Sequence, residues 1–202
     1  MTSPGYRAAI AEYIRVNAKP PDKFSHQLRL YHLARRIAAN RPHDDDVLYA
    51  AAWLHDLGVF IGHRPQDASA LAVWDCVAYA VEKTPGLLAQ FGFPSEKIPA
   101  AVEAIRTHQP SAEPKSFEGL ALRDADILEQ LGAVSILRTV SKVGRDTRFP
   151  LFADALRVLQ KNLDQLPGML RLESARQIAQ PRIQILKAFL TAANVEACGF
   201  DW

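Results

Sequence analysis

The segment AAWLHDLG, residues 51–58, places a histidine and an aspartate side by side at the end of an apolar run. His55 follows two alanines at helical spacing, so its side chain is expected to face the core. Buried ionisable groups are costly unless they are paired or bound to metal. Adjacent helical side chains point about 100° apart, so His55 and Asp56 can hold one ion only from a helix end, which Gly58 supplies. The alternative is a helix end with two exposed polar residues.

A second inward histidine precedes this pair in the chain. His26 shares a helical stripe with Leu30, Leu33 and Ile37. Taken alone, each histidine is better explained as a core residue hydrogen-bonded to a carbonyl group. Together with the Asp56 carboxylate, the two histidines supply three of the roughly four to six ligands that a divalent ion takes. Imidazole and carboxylate ligands favour Mn, Fe, Co, Ni or Zn over Ca.

The segment ALRDADILEQLGA, residues 121–133, offers a further carboxylate. Asp124 and Asp126 interrupt an otherwise amphipathic helix. Helical periodicity favours Asp124 as the residue that completes the site, because it shares a stripe with three leucines. The alternative is a solvated face on which Asp124 pairs with Arg123 or another base.

The elements that position these residues are predicted to be helical almost throughout. Apolar residues recur every three or four positions in YRAAIAEYIRV, HQLRLYHLARRIA, DVLYAAAWLHDL and PAAVEAIRTH. The second helix is expected to start near Ser25. Breaks are predicted at residues 20–22, 40–46, 83–86, 91–97 and 108–116. Later helices are predicted over roughly 118–131, 133–144, 149–166 and 172–192.

These patterns predict a single all-α domain over residues 1–202, a bundle of about nine or ten helices. The 202 residues are 49% hydrophobic and 23% charged, with a net charge of +2, as in soluble globular proteins. The small charge and scattered basic residues argue against an extended nucleic-acid partner. No signal-peptide core and no membrane span of about 18 apolar residues is found. Two cysteines without a Cys-x-x-Cys motif favour a reducing, cytoplasmic location.

In their order and context, these residues resemble the motifs of the HD superfamily of metal-dependent phosphohydrolases. SHQLRLYHLARRIA resembles the first motif, in which the ligand histidine begins the helix, here His26. AAWLHDLG resembles the second motif, which gives His55 and Asp56. LRDADILEQLGA resembles the fourth motif, whose usual register selects Asp126 in place of Asp124. We follow the motif, because a ligand must reach a polar pocket, and keep Asp124 as the fallback.

The resemblance covers roughly residues 22–145, which it implies are an HD-type metal-binding core. Residues 146–202 are then a helical extension with apolar stripes. Packing of these stripes on the core is preferred to the alternative, a homodimer face.

Three further positions bear on the number of metal ions and on the catalytic acid. AIRTHQP resembles an added motif of some bacterial subgroups, which gives His108. Cys76 stands where those subgroups have a first added histidine, and this departure favours one metal ion over two. No Lys or Glu closely follows the His-Asp pair, so His63 is the remaining candidate acid there. The alternative for His63 is a surface loop residue.

The resemblance implies hydrolysis of a phosphate ester of a nucleotide or a related small molecule, at one divalent transition-metal ion per chain. The implied metal ligands are His26, His55, Asp56 and Asp126. The ion would lower the pKa of a water and polarise a phosphoryl oxygen. Asp56 or Asp126 would accept the proton of that water.

The remaining implied roles concern the phosphate group. His108 would contact phosphate or protonate the leaving oxygen, and His63 is the second candidate for this role. Arg29, one turn beyond His26, and Arg123 are candidates to hold phosphate oxygens, with a surface position as the preferred alternative for each.

Two rival functions remain open. The superfamily resemblance also covers di-iron oxygenases, whose added histidines hold a second iron, and Cys76 argues against that function. The other rival is a non-catalytic helical module that binds a nucleotide or a partner around a structural metal.

Overall fold

The computed structural model describes residues 5–198, which form ten α-helices and three short 3-10 helices. The α-helices are α1 Tyr6–Asn17, α2 Asp22–Ala38, α3 Asp45–Leu54, α4 Ala68–Ala72, α5 Cys76–Gln90, α6 Ile98–Arg106, α7 Phe117–Glu129, α8 Ala133–Val140, α9 Phe152–Gln165 and α10 Glu173–Glu196. The 3-10 helices are Leu57–Val59, Ser95–Lys97 and Pro167–Met169. Residues 5–198 contain no strand, so the all-α prediction is confirmed.

The chain divides into two compact units, Met1–Ala125 and Asp126–Trp202. The division falls inside α7. The predicted domain of residues 1–202, with a core at 22–145 and an extension at 146–202, stays a prediction. Its ends, residues 1–4 and 199–202, lie outside the described residues.

The first unit is built around α3. Every residue from Val47 to Leu54 is buried, and α3 packs against α1, α2, α5 and α6. Its start is fixed by Asp44, whose carboxylate accepts hydrogen bonds from the backbone N–H groups of Asp46 and Val47. Because α3 is held by four neighbours, the residues that follow its last turn have a fixed position.

The second unit contains α8, α9 and α10, which pack against one another. Small and branched residues four positions apart form their buried faces, such as Ala155 and Leu159 of α9. The ends of the later helices differ from the predicted ones by at most four residues. Even with α10 at 24 residues, no helix among the described residues is both long and apolar enough to cross a membrane.

The predicted break at residues 83–86 is wrong. Helix α5 continues through Pro85. Ala80, Thr84 and Leu88 are buried at intervals of four residues, and the Thr84 hydroxyl donates to the Ala80 carbonyl. The packing of this face therefore outweighs the loss of one backbone N–H at the proline.

The predicted start of the second helix also needs correction. Helix α2 begins at Asp22, three residues before the expected start near Ser25. The two prolines before Asp22 end the preceding connection, and the helix follows immediately, since proline is well tolerated just before or at a helix start. This shift places Lys23 in the first turn of α2.

Candidate metal centre

The His-Asp pair lies where α3 ends. Helix α3 stops at Leu54, and His55 and Asp56 form the turn that leads into the 3-10 helix Leu57–Val59. At this turn the two adjacent side chains meet, with His55 Nε2 3.6 Å from Asp56 Oδ1. The geometry expected for binding one ion from a helix end is therefore present.

Gly58 allows this turn to lie directly against α5. A Cβ atom at residue 58 would lie 2.3 Å from the Cys76 carbonyl oxygen and 2.6 Å from the Cys76 Cα atom. Both atoms belong to the backbone and cannot rotate away. The glycine therefore fixes the path of the chain just after Asp56 by close backbone contact.

His26 brings a third ligand to the same point. Its Nε2 atom lies 3.8 Å from Asp56 Oδ2, and its ring lies 5.6 Å from the His55 ring, centroid to centroid. One ligand atom from each of His26, His55 and Asp56 lies within 4.8 Å of the other two. Ligands at about 2.1 Å from one ion stand roughly 3 to 4 Å apart. The donor types and their spacing therefore fit a divalent transition-metal ion after small side-chain adjustments.

The tautomer of His55 suits a metal ligand. Its Nδ1 atom lies 3.0 Å from the Ala52 carbonyl oxygen. A carbonyl oxygen only accepts, so Nδ1 carries a proton, and Nε2 is the ring atom that faces Asp56. A hydrogen bond to a carbonyl group is also what the alternative of an ordinary core histidine expects. Here the same hydrogen bond orients the His55 ring as a ligand.

The Asp56 carboxylate is held in its charged form. Burial raises its pKa, but the surrounding basic groups outweigh burial and keep the pKa below its usual range. In order of effect these groups are His55, Lys23, His26 and His108. The side chain is 18% exposed, so an anionic ligand is available in a largely enclosed position.

His108 lies beside the converging ligands. It follows the end of α6, is 5% exposed, and its ring centroid is 5.0 Å from that of His55. Its Nδ1 atom lies 2.6 Å from the Ile105 carbonyl oxygen, so Nδ1 donates and Nε2 is the ring nitrogen without this contact. The position agrees with the motif, and the role of His108 toward phosphate or metal stays a prediction.

Lys23 is the residue of this centre that the sequence analysis missed. Its Nζ atom lies 3.7 Å from Asp56 Oδ2, and its side chain is 24% exposed. The sequence analysis considered the residues that follow Asp56, whereas Lys23 comes from the first turn of α2. The available signal was its spacing, because Lys23 precedes His26 by three residues and so shares its helix face once α2 starts at Asp22.

His63 lies outside the group of converging ligands. It is half-buried, with its ring edge-on to Phe60 and Tyr79 and its Nδ1 atom 3.3 Å from the Tyr79 hydroxyl. Burial lowers its pKa. His63 therefore lies in a turn with its ring packed between aromatic residues, and a catalytic role for it stays a prediction.

Cys76 is the first residue of α5 and is half-buried. Burial, followed by the negative charges of Asp56 and Asp75, raises the pKa of its thiol. Among the described residues, the group of ligand atoms within 4.8 Å does not include Cys76. One metal ion per chain, which Cys76 in place of a histidine favours, stays a prediction.

The two candidate arginines have different surroundings. Arg29 lies on α2 and donates to the Ser25 hydroxyl at 3.0 Å. Arg123 is 2% exposed, so its surface alternative is wrong. Its Nη1 atom lies 3.0 Å from Asp124 Oδ1, and its Nη2 donates to the Pro110 carbonyl. Asp124 thus pairs with Arg123, as its alternative states, but in the core instead of on a solvated face.

Asp126 is half-buried and begins the second unit. The amide of Gln130, one turn later, lies 3.3 Å from the Asp126 backbone carbonyl and 3.5 Å from its Oδ2 atom. Its assignment as a metal ligand stays a prediction from the sequence motif.

An open pocket of about 480 Å³ lies between α5 and the segment after α6. Its lining includes Asp75, next to Cys76, and Gln109, next to His108. Val77, Val81 and other side chains of α5 form its apolar wall.

A family model for the HD domain matches residues 24–131. The chain belongs to the HD domain family. The match includes His26, His55, Asp56 and Asp126, so the predicted resemblance is confirmed. Membership of the HD domain family supports a hydrolase in general and a divalent metal at the group of ligands described above.

Solved structures share the fold. A predicted HD superfamily hydrolase from an uncultured Thermotogales bacterium is 26% identical, with a TM-score of 0.63 over 95% of this chain and 90% of that chain. YpgQ from Bacillus subtilis is 21% identical, with a TM-score of 0.74 over 97% of this chain and 98% of that chain. YpgQ in complex with ADP is 20% identical, with a TM-score of 0.70 over 96% of this chain and 100% of that chain. At these identities, the YpgQ structures establish the fold alone. No curated protein is a significant sequence match.

Proposed function

We propose that this HD domain protein is a metal-dependent phosphohydrolase that cleaves a phosphate ester of a nucleotide or a related small molecule. The observation that carries the proposal is the convergence of His26, His55 and Asp56 within 4.8 Å. Asp126 is proposed as the fourth ligand on its motif. One ion per chain is proposed, because a single group of three ligands converges among the described residues.

Four ligand residues would leave further coordination positions of a divalent ion for water and substrate. A divalent ion bound there supplies Lewis acidity toward a phosphoryl oxygen and lowers the pKa of water. Asp56 directs Oδ1 toward His55 and Oδ2 toward His26. As an ionised carboxylate, it is also suited to accept a proton from water during attack. His108, with Nε2 unprotonated when neutral and a proton donor when charged, is proposed to contact phosphate or protonate the leaving oxygen.

A nucleotide is the proposed substrate class. The support is that YpgQ, which has the same fold, has been solved in complex with ADP. The pocket beside α5 adds support, because it borders the sequence neighbours of Cys76 and His108 and has room for a base or sugar. We propose that this pocket receives the organic part of the substrate.

The experiment combines metal content with phosphate release. The protein is depleted with a chelator and reloaded separately with Mn, Fe, Co, Ni or Zn. Nucleoside mono-, di- and triphosphates, cyclic nucleotides and p-nitrophenyl phosphate are then tested. We expect about one metal ion per chain and hydrolysis of at least one ester. His55→Ala should lose both properties, whereas His32→Ala, an exposed histidine on α2, should keep them.

The fourth ligand is decided by a pair of aspartate variants. Asp126→Ala should weaken metal binding while the protein stays folded. Asp124→Ala should mainly lower stability, because it leaves the buried Arg123 guanidinium without the carboxylate 3.0 Å away. Full metal binding by Asp126→Ala would move the assignment to Asp124.

Ala78→Trp tests the pocket. Ala78 is exposed on the pocket wall, so a large side chain there should fill the pocket. We expect a higher KM for nucleotides and an unchanged KM for p-nitrophenyl phosphate. Equal effects on both substrates would contradict the assigned role of the pocket.

The same preparation separates the rival functions. Metal bound without hydrolysis of any ester would support a binding module. Two irons per chain with a mixed-valence spectrum would support the di-iron oxygenase.

A further inference from the structure

Lys23 brings an ammonium group to the carboxylate at the centre. Its Nζ atom lies 3.7 Å from Asp56 Oδ2. His26 Nε2 lies 3.8 Å from the same oxygen. The lysine and the histidine come from one helix, three residues apart, so α2 directs a cation and a metal ligand at one atom.

This ammonium group would be repelled from its position by a dication bound to the same carboxylate. Like charges a few ångströms apart repel strongly in a partly enclosed position. The Lys23 side chain is 24% exposed, and its four-carbon stem is flexible. Its ammonium is therefore able to leave Asp56 and stay next to the centre.

A phosphate ester bound at this centre would be stabilised by a cation in that place. The phosphoryl group carries negative charge on several oxygens, and a lysine ammonium binds phosphate as a point charge. The two arginines considered from the sequence have other contacts: Arg29 donates to Ser25, and Arg123 is paired with Asp124 in the core.

We propose that Lys23 binds the phosphoryl group of the substrate, and that Asp56 holds its ammonium when no metal is bound. The proposal rests on the proposed phosphohydrolase function. The proposal predicts two linked effects of changing this one side chain. Removal of the ammonium should strengthen metal binding, because a competing cation is lost, and should weaken substrate binding, because a phosphate ligand is lost.

The test compares Lys23→Gln, Lys23→Arg and the control Lys19→Gln, which removes the same charge from an exposed position four residues earlier. Mn²⁺ affinity of the chelator-treated protein is measured by calorimetry, and kcat and KM are measured on the best ester. Lys23→Gln should bind Mn²⁺ at least about threefold more tightly than the wild type does. Its kcat/KM should fall about 10- to 100-fold, chiefly through KM. Lys23→Arg should recover most of the KM, and Lys19→Gln should match the wild type.

The possible failures are distinguishable. A wild type that binds no metal and hydrolyses no ester would remove the proposed function and this proposal with it. A metal-binding, active wild type whose Lys23→Gln variant changes both constants by less than about twofold would overturn the role of Lys23 alone. Tighter Mn²⁺ binding with an unchanged KM would also overturn the phosphate contact, since competition for Asp56 would then be the whole effect.

Discussion

The two ends of α3 both carry clustered charged side chains, but the distances within the clusters differ. At the start of the helix, Lys97 Nζ lies 2.9 Å from Asp44 Oδ2 and 2.8 Å from Asp46 Oδ2. Arg7 lies 2.9 Å from Asp45 and 2.5 Å from Asp46. These are hydrogen-bond distances, so each carboxylate at this end is paired directly with a base.

At the other end, the polar atoms stand further apart. The carboxylate oxygens of Asp56 lie 3.6 to 3.8 Å from the nearest nitrogens of His55, His26 and Lys23. Such distances are too long for hydrogen bonds but allow a further atom to be bound between them. Buried polar groups without a hydrogen-bond partner among the described residues also occur near this end, at Gln27 and at the indole nitrogen of Trp53.

The difference separates a structural ion cluster from a candidate metal centre on one helix. Direct pairing at the start of α3 satisfies the charges and ties α1 to α3. At the end of α3 the Asp56 oxygens lie further from the neighbouring nitrogens, and atoms of His26, His55 and Asp56 converge as candidate ligands of one metal ion.

Exchanging one carboxylate at each end gives the largest expected contrast. Asp56→Asn should lose metal binding, and its kcat/KM should fall more than about 100-fold. Mutation of a residue that only orients a metal ligand already lowers metal affinity or activity by about 10- to 100-fold. Asp46→Asn should keep kcat/KM within about twofold and lower the urea midpoint. Calorimetric metal titration and steady-state kinetics measure both variants. An Asp46→Asn variant as inactive as Asp56→Asn would remove the distinction.

Gly58→Ala is expected to displace the backbone of the turn after α3, which carries the candidate ligands His55 and Asp56. The new Cβ would lie 2.3 Å from the Cys76 carbonyl oxygen, and overpacking of this kind costs about 3 kcal/mol. Urea unfolding and metal titration should show lower stability together with weaker metal binding. Gly86→Ala is the control, since its Cβ would meet no atom within 4 Å, and it should be neutral or stabilise by up to about 1 kcal/mol. Wild-type stability in Gly58→Ala would contradict the proposed close contact.

Most of the helices could be predicted from the sequence, because apolar spacing and turn residues act locally. The pattern predicted α1 and the four later helices with small errors at their ends. Pro85 was misjudged because its effect depends on the buried face of α5, which is a tertiary property. The start of α2 was misplaced because two prolines and an aspartate suit both a turn and the residues around a helix start.

The site was predictable where the chemistry depends on adjacent residues. His55 and Asp56 are neighbours in the chain, and His26 stands out on an apolar stripe. Lys23 was missed because its contact with Asp56 joins α2 to the turn after α3. Arg123 was placed at the surface because a charged residue usually lies there, and only the fold shows that Asp124 neutralises it in the core.

The carboxylates at the start of α3 should make the stability of the fold depend on pH. Hydrogen bonds from Lys97, Tyr6 and Arg7 hold the pKa of Asp46 well below its usual range. A carboxylate whose folded pKa is depressed stabilises the fold above its unfolded pKa of about 3.9, and this contribution is lost as the pH falls further. The urea midpoint should therefore decline below about pH 4, and Asp46→Asn should decline less. Equal declines would assign the effect to other groups.

Arg7→Met tests the ion cluster at the start of α3 by removing a base instead of a carboxylate. Arg7 contacts two carboxylates and stacks over the Tyr49 ring at 4.9 Å, but its side chain is 38% exposed. After solvent screening, we expect a loss of about 1 to 2 kcal/mol in the free energy of unfolding, with metal affinity unchanged. Arg15→Met removes the exposed ion pair with Glu12 and should leave the urea midpoint unchanged. Loss of metal binding in Arg7→Met would show that the two ends are coupled.

Gln27→Leu gives the smallest expected effect. It tests whether a buried polar group next to the candidate metal centre lowers the stability of the fold. Gln27 is fully buried, and neither its amide nitrogen nor its amide oxygen has a hydrogen-bond partner among the described residues. An unsatisfied buried polar group costs about 1 to 3 kcal/mol, so leucine should raise the free energy of unfolding by about 1 kcal/mol. Gln90→Leu, at an exposed position on α5, should change little. A destabilised Gln27→Leu protein would mean that the amide is satisfied in solution, and the two ends of α3 would then differ in ligand spacing alone.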